Sequence, residues 1–145
     1  MAHVGDSRLY LVRDDRAYQV RHDHTVAAEL VRCGDLSPDQ AAAHPQRHAL
    51  PRAVGVQPFV EVDSLVFDLA AGDRLVLCSD GMSAAIPSTS WLTSLSASCT
   101  AEELSDELVS AALVEGVQDD VTVVAIELEG SRRGWSRGLA KPPAA

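Results

Sequence analysis

Two carboxylates in this sequence lie beside short β-prone runs. Asp80 follows the apolar run Leu75–Cys78 and precedes Gly81, and Asp119 comes just before the β-branched run Val121–Ile126. A carboxylate at the end of a buried strand is costly unless a cation pairs with it. Mg²⁺ or Mn²⁺ is the natural partner because both prefer oxygen ligands. The alternative is that Asp80 belongs to an ordinary solvated Asp-Gly turn.

A third acidic residue, Asp23, is flanked by His22 and His24. This cluster predicts either a ligand group or the polar N-terminal cap of the helix that follows, and both interpretations remain open. Covalent catalysis by Cys78 or Ser79 is the rival chemistry, but no His and acid pair is placed to activate either residue. Cys78 is better interpreted as strand packing.

Further along, basic residues and histidines cluster in an irregular stretch. The histidine spacing would permit zinc, but no thiol or carboxylate is placed to complete such a site. Solvated loop residues are therefore the better interpretation. The cluster consists of His44, Arg47, His48 and Arg52.

Composition limits the possible functions. The 145 residues are enough for one globular domain, and the net charge of −9 argues against nucleic acid or an anionic membrane as partner. Three cysteines without a CxxC pattern predict neither a disulfide framework nor a zinc site, which favours the cytoplasm. No apolar run reaches the length of about 18 residues that a membrane helix needs.

The first half of the chain predicts a hairpin and two helices. Leu9–Val12 and Ala17–Val20 form the hairpin, and apolar residues at helical spacing from Val26 end at Gly34. A capping box at Ser37 starts a short helix that Pro45 ends.

The second half predicts strands, helices and a tail. Capping residues and apolar periodicity mark the helices, and β-branched runs mark the strands. The predicted elements are a strand-rich stretch over Phe59–Leu69, the strand at Leu75–Cys78, a helix after Pro87 carrying Trp91, Leu92 and Leu95, a helix from Thr100 to Gly116, the strand at Val121–Ile126, and a disordered tail over 131–145.

Together these motifs resemble the metal-dependent protein serine/threonine phosphatases of the PPM, or phosphatase 2C, family, and their compact bacterial members in particular. A single motif of this kind is weak, but six in family order are specific. They are Val4–Arg8, Asp23–Thr25, Leu30–Gly34, His44–Gly55, Gly72–Met82 and Gln118–Val123.

The resemblance implies roles for individual residues. Asp80 and Asp119 match ligands of a two-metal centre, and Asp23 matches the ligand of a third, weaker metal. Ser79, Gly81 and Asp120 surround the first two carboxylates. Family members usually have Asp-Asn where this chain has Asp119-Asp120, so the surrounding hydrogen bonds are expected to differ.

The implied fold is α+β, an antiparallel β-sandwich flanked by helices in an αββα arrangement and incomplete at its N-terminus. Residues 1–130 would be the C-terminal part of the catalytic domain. The family's Asp-Gly-His-Gly-Gly-like loop, whose Asp bridges the metals, and its phosphate-binding Arg have no counterpart here. We therefore expect the chain to be a fragment of a longer protein.

The implied function is hydrolysis of phosphoserine or phosphothreonine by water activated by two or three Mn²⁺ or Mg²⁺ ions. The expected partners are a phosphoprotein substrate and a Ser/Thr kinase. The alternative is a non-catalytic module that binds a kinase or phosphoprotein as a regulator. A variant of the first hypothesis places the substrate among anti-sigma-factor-type phosphoproteins.

Overall fold

The computed structural model describes residues 1–14, 16–87 and 100–130. The helix expected after Pro87 and the tail over 131–145 lie outside these ranges. In chain order the strands are β1 (Ala2–His3), β2 (Arg8–Arg13), β3 (Arg16–Gln19), β4 (Asp63–Ser64), β5 (Arg74–Cys78) and β6 (Val123–Glu127), and the helices are α1 (Val26–Cys33), α2 (Pro38–Ala42), α3 (Asp80–Ala85) and α4 (Ala101–Val114).

The chain forms two compact units. The first unit comprises residues 1–7 and 22–66, and the second comprises residues 8–21 and the described residues from 67 onward. The prediction that residues 1–130 form one domain stays a prediction.

In the first unit, local capping sets the helices. The Thr25 side chain accepts a hydrogen bond from the Ala28 N–H at 3.1 Å and starts α1, and Gly34 ends it with a φ of 83°. The predicted capping box of Ser37 and Gln40 is present at α2. Both predicted helices are confirmed, although α2 ends at Ala42, before Pro45.

The strand-rich stretch predicted over Phe59–Leu69 is wrong. Only Asp63–Ser64 forms a strand there, because its antiparallel partner β1 is itself two residues long. Phe59 and Val66 are 91% and 96% exposed, so their β propensity is not matched by packing. Propensity for a strand depends on such packing rather than on the backbone alone.

The second unit contains a four-stranded antiparallel sheet in the order β3-β2-β5-β6. The predicted hairpin is confirmed, with Leu11 opposite Tyr18. One face of the sheet packs against α3 and α4. The core on that face contains Tyr10, Val12, Val76, Cys78, Met82, Ile86, Leu104, Leu108 and Ala112.

The opposite face of the sheet is partly open in this unit. Leu77, Val124 and Ile126 are 41%, 49% and 44% exposed, and Leu77 lies directly opposite Val124. The expectation that β5 and β6 are buried strands is therefore corrected: in both strands one face is packed, and the other is partly exposed. The strand positions themselves are confirmed.

A buried ion pair holds β2 to the turn before β5. Arg13 Nε and Nη2 donate to Asp73 Oδ1 and Oδ2 at 2.9 and 2.6 Å, and the Ala70 N–H donates to Asp73 Oδ2 at 2.7 Å. The hydrogen bond from Arg13 to the Asp73 carboxylate raises the pKa of the Arg13 guanidinium. The Asp73 carbonyl also accepts a hydrogen bond, at 3.0 Å, from the N–H of Leu128, the residue that follows β6. Asp73 thus links the hairpin, the start of β5 and the end of β6.

The predicted α+β fold class with antiparallel sheets and helices is confirmed. Among the described residues, no helix is both long enough and apolar enough to cross a membrane.

Candidate metal centre

Asp80 begins α3, two residues after Cys78, the last residue of β5. Its side chain is half-buried, and its Oδ1 accepts a hydrogen bond from the Gly81 N–H at 3.0 Å. The buried Met82 anchors this short helix in the core. The carboxylate is therefore held at the junction between a strand and a helix that are both fixed by packing.

Ser79 joins this junction to the loop before β6 through three hydrogen bonds, which we call the Ser79 clamp. Its N–H donates to the Thr122 carbonyl at 3.0 Å, and its hydroxyl donates to the Asp120 carbonyl at 3.1 Å. The same hydroxyl accepts from the Thr122 N–H at 3.0 Å. Since the hydroxyl is engaged on both sides, it is not a free nucleophile, which agrees with the rejection of covalent catalysis.

Gly81 allows the helix and the loop to come close. A Cβ built on Gly81 would lie 2.6 Å from the Asp120 carbonyl oxygen and 3.5 Å from the Asp119 Cβ. Real Cβ atoms do not approach a backbone oxygen that closely, so only glycine permits this contact. The residue after Asp80 therefore lies directly against Asp119 and Asp120.

Asp119 is exposed, and its Oδ1 accepts a hydrogen bond from the Asp120 N–H at 2.8 Å. The clamp uses the main-chain oxygen of Asp120, not its side chain. The unusual Asp at position 120 is therefore compatible with the clamp, because the side chain takes no part in it.

The donor chemistry of this junction fits a hard divalent cation. Asp80 at the start of α3 and Asp119 in the loop before β6 both carry carboxylate oxygens, and Mg²⁺ is typically held by one or two carboxylates with several waters. In the part of the chain that the structure describes, no three His, Cys, Asp or Glu side chains are grouped to hold a metal. The residues present thus fit part of a metal centre.

Asp23 lies in the first unit, two residues before the cap residue of α1. Thr25, not Asp23, provides the capping bond. The helix start therefore has the predicted polar cap, and Thr25 is the residue that provides it. The role of Asp23 as a third metal ligand stays a prediction.

The sequence analysis missed a cluster in the first unit that is built around two buried histidines. The His3 and His24 rings have centroids 4.6 Å apart, and His24 Nε2 lies 3.3 Å from Asp63 Oδ2. Arg52 Nη1 donates to Asp63 Oδ1 at 3.1 Å. Burial by itself would raise the pKa of the Asp63 carboxyl. His24 and Arg52 outweigh burial, so the pKa of Asp63 is lowered. No local spacing signals this cluster, since its members come from four separate segments.

Comparison with known proteins identifies the family. A sequence model described as Stage II sporulation protein E (SpoIIE) matches residues 11–129. MsPP, a PPM Ser-Thr phosphatase from Mycobacterium smegmatis, is 39% identical, with a TM-score of 0.77 over 88% of this chain and 54% of its own. The chain belongs to the PPM family. The resemblance seen in the sequence motifs is confirmed.

Two further relatives extend this PPM assignment. The serine/threonine phosphatase Stp of Listeria monocytogenes is 37% identical over 134 residues, covering 92% of this chain and 53% of Stp. A structure of the PstP catalytic domain in complex with two manganese ions is 30% identical, with a TM-score of 0.67 over 89% of this chain and 53% of that catalytic domain. This chain spans about half the length of the curated relatives it matches.

Replacing Gly81 by Ala in this PPM chain is expected to destabilise the second unit. The new methyl group would meet the Asp120 carbonyl at 2.6 Å, so either α3 or the loop before β6 must shift. Overpacking of this kind costs about 1–3 kcal/mol. Urea unfolding of the two proteins measures the difference. Ala84→Ser, which also enlarges a side chain but at an exposed position of the same helix, is the control, and an unchanged midpoint for Gly81→Ala would contradict the close contact.

Stability is expected to fall as the pH falls below neutrality, because of His3. Burial and the neighbouring His24 ring lower the pKa of His3. His3 Nε2 bonds the Ser7 carbonyl at 2.9 Å, and His3 Nδ1 is buried without a hydrogen-bond partner among the described residues. Between the ordinary pKa of about 6.5 and the lower native value, the unfolded chain binds more protons, so stability declines by at most about 1.4 kcal/mol per pH unit.

Urea midpoints measured from pH 7.5 down to pH 5 test this dependence. In His3→Gln the non-titrating amide can still donate to the Ser7 carbonyl, so the slope in this window should flatten. An equal slope in both proteins would assign the pH dependence to other groups.

Proposed function

We propose that this PPM chain carries part of the centre at which Mn²⁺ or Mg²⁺ activates water to hydrolyse phosphoserine or phosphothreonine in proteins. The observation that carries the proposal is the close contact of Gly81 with Asp119 and Asp120. That contact requires glycine and brings the start of α3, which carries Asp80, against the loop that carries Asp119. A purely structural turn would have no need for two adjacent acidic groups at this point.

Asp80 and Asp119 would hold the metal, and Asp23 would serve a third, weaker site. When bound, the cations supply a water of lowered pKa and neutralise charge on the phosphoryl group. The Ser79 clamp fixes the loop that carries Asp119 relative to the start of α3. The Gly81 N–H orients the Asp80 carboxylate through its bond to Oδ1. Each carboxylate is thereby positioned before any cation binds, which lowers the cost of ordering it.

Relatives support the metal and the substrate class. PstP was crystallised with two manganese ions, and Stp is a serine/threonine phosphatase. We infer that the partners are a phosphoprotein substrate and the Ser/Thr kinase that phosphorylates it. We infer a cytoplasmic location, since Cys33 and Cys78 are thiols and not half-cystines.

The test combines Mn²⁺ binding with hydrolysis of a phosphoserine peptide by the chain, titrated with Mn²⁺. Mn²⁺-dependent release of phosphate would support the phosphatase function. Mn²⁺ binding without hydrolysis would favour the regulatory module, since the described residues supply fewer than three grouped ligands. Absence of Mn²⁺ binding would overturn the proposed centre.

A further inference from the structure

Four apolar side chains of the second unit share the face of its sheet that does not pack against α3 and α4. Because side chains alternate along a strand, they are Leu75 and Leu77 on β5 and Val124 and Ile126 on β6. Leu75 lies opposite Ile126, and Leu77 lies opposite Val124. We call this contiguous apolar patch the open face, since patches of this kind mark binding surfaces.

The chain leaves the sheet at one end of the open face. The Leu128 N–H donates to the Asp73 carbonyl at 3.0 Å, and the Leu128 carbonyl accepts from the Gly72 N–H at 2.8 Å. Gly130 lies against the same turn, since a Cβ built on it would be 2.8 Å from the Ala71 Cβ. Its φ of 152° is one that other residues rarely adopt. The chain that follows therefore starts at a fixed point, where β5 begins and β6 ends.

Residues 131–145, which we call the C-terminal segment, have a composition that suits this face. They include two large apolar residues, Trp135 and Leu139, and otherwise only small residues, prolines and basic residues. So few apolar side chains are not enough for a core of their own. Ordering of the C-terminal segment therefore requires a partner surface.

Charge favours a partner surface on the same chain. The C-terminal segment has four basic and no acidic residues, whereas residues 1–130 have eight basic and 21 acidic residues and a net charge of −13. Glu129 is exposed two residues after β6, and its carboxylate forms no ion pair within the described part of the chain. Opposite net charges attract the segment to this surface, while a second copy of net charge −9 would be repelled.

The C-terminal segment is long enough to return over the open face. The seven residues from Leu128 to Trp135 can extend about 23 Å, at about 3.3 Å per residue. The four residues from Leu128 back to Val124 span only about 13 Å of strand. Trp135 can therefore reach Val124 and also Leu77, which lies opposite it on β5.

We propose that the C-terminal segment folds back onto the open face of its own chain, with the Trp135 indole over Leu77, Val124 and Ile126. An indole buries about 150–250 Å² at such contacts, and its N–H can remain in water at the edge. The three side chains that it covers are now 41%, 49% and 44% exposed. This contact goes beyond the proposed function and does not depend on the metal centre.

Fluorine NMR of the full chain labelled with 5-fluorotryptophan tests the contact. The sequence contains two tryptophans, so two resonances are expected, and Trp135→Phe identifies the one from Trp135. The change in its chemical shift between H₂O and D₂O measures the contact of the ring with solvent. The synthetic peptide 131–145 supplies the value for a fully exposed ring.

The test variant combines Val124→Thr with Ile126→Thr, because threonine keeps the β-branched shape that suits a strand but adds a hydroxyl group. The control combines Leu113→Thr with Val114→Thr, at positions 63% and 85% exposed on α4 of the same unit. Trp135 should be shielded in the wild type and in the control. In the test variant, the ratio of docked to free segment should fall about tenfold.

Three results would overturn the proposal. A Trp135 ring as exposed in the full chain as in the peptide would leave the open face to a segment outside this chain. Equal shielding in the test variant and the control would place the ring elsewhere on the molecule. Shielding that is lost on dilution would assign the face to a second copy. None of these results bears on the Mn²⁺ centre, because the assay contains no metal.

Discussion

Asp73→Ala is expected to lower the free energy of unfolding by about 3–5 kcal/mol, the usual cost of removing one partner of a buried ion pair. The Arg13 and Asp73 side chains are only 12% and 3% exposed. Without Asp73, the Arg13 guanidinium keeps its charge but loses both of its bonds to the carboxylate. The Ala70 N–H also loses its acceptor. The loss is large because two polar groups lose three hydrogen bonds at once.

Urea or thermal unfolding of the purified variant measures this effect. Glu29→Ala is the matched control, since it also removes a carboxylate paired with an Arg, but the Glu29–Arg32 pair on α1 is exposed. Exposed pairs contribute little to stability, so the control should unfold close to the wild-type midpoint. Similar losses in both variants would show that burial does not determine the strength of these pairs.

The helices were predictable because their signals are local. The capping boxes at Ser37 and Thr100 bring together residues only three apart, and both form in the structure. Gly34 ends α1 in the left-handed conformation that glycine favours. The helix predicted from Thr100 to Gly116 is confirmed as Ala101–Val114. Such contacts depend on sequence neighbours, so the sequence alone specifies them.

Burial was predicted less well because it depends on elements that are distant in sequence. Leu77 and Val124 belong to runs that are apolar throughout, which is typical of strands buried on both faces. In the structure they lie opposite each other, and both side chains are more than two-fifths exposed. Similarly, the β-prone residues around Phe59 have only a two-residue partner strand. Composition indicates what a segment can bury, and its partners decide what it does bury.

At the candidate metal centre, too, the sequence predicted local features but not the contacts that depend on distant elements. The motifs placed Asp80 and Asp119 correctly at the end of β5 and the start of the β6 segment. The Ser79 clamp was not predictable, because it requires the register in which Cys78 lies opposite Val123. That register is set by the pairing of β5 with β6 and by their packing in the core, and the two strands are far apart in sequence. The motif therefore identifies the chemistry, and the register supplies the positioning.

Asp80→Asn is expected to reduce Mn²⁺ affinity at least about 10–100-fold. Even outer partners of metal ligands change affinity by that factor, and a direct carboxylate ligand should matter no less. Asn keeps the size of Asp and an oxygen that can accept from the Gly81 N–H, so the fold should be preserved. Isothermal titration calorimetry or the Mn²⁺ electron paramagnetic resonance signal measures the affinity. Asp106→Asn, an exposed position on α4, makes the same charge change as a control.

Asp119→Asn is expected to act on the same site, and the pair tests whether the two carboxylates share a cation. If they do, the double variant should lose less affinity than the two single losses combined, because removing one ligand already disables the site. Fully additive losses would place the carboxylates at separate ions. Wild-type affinity in Asp80→Asn, with the Asp106→Asn control also unchanged, would show that the strand-end carboxylate is not a ligand. The contact at Gly81 would then have to be explained by packing alone.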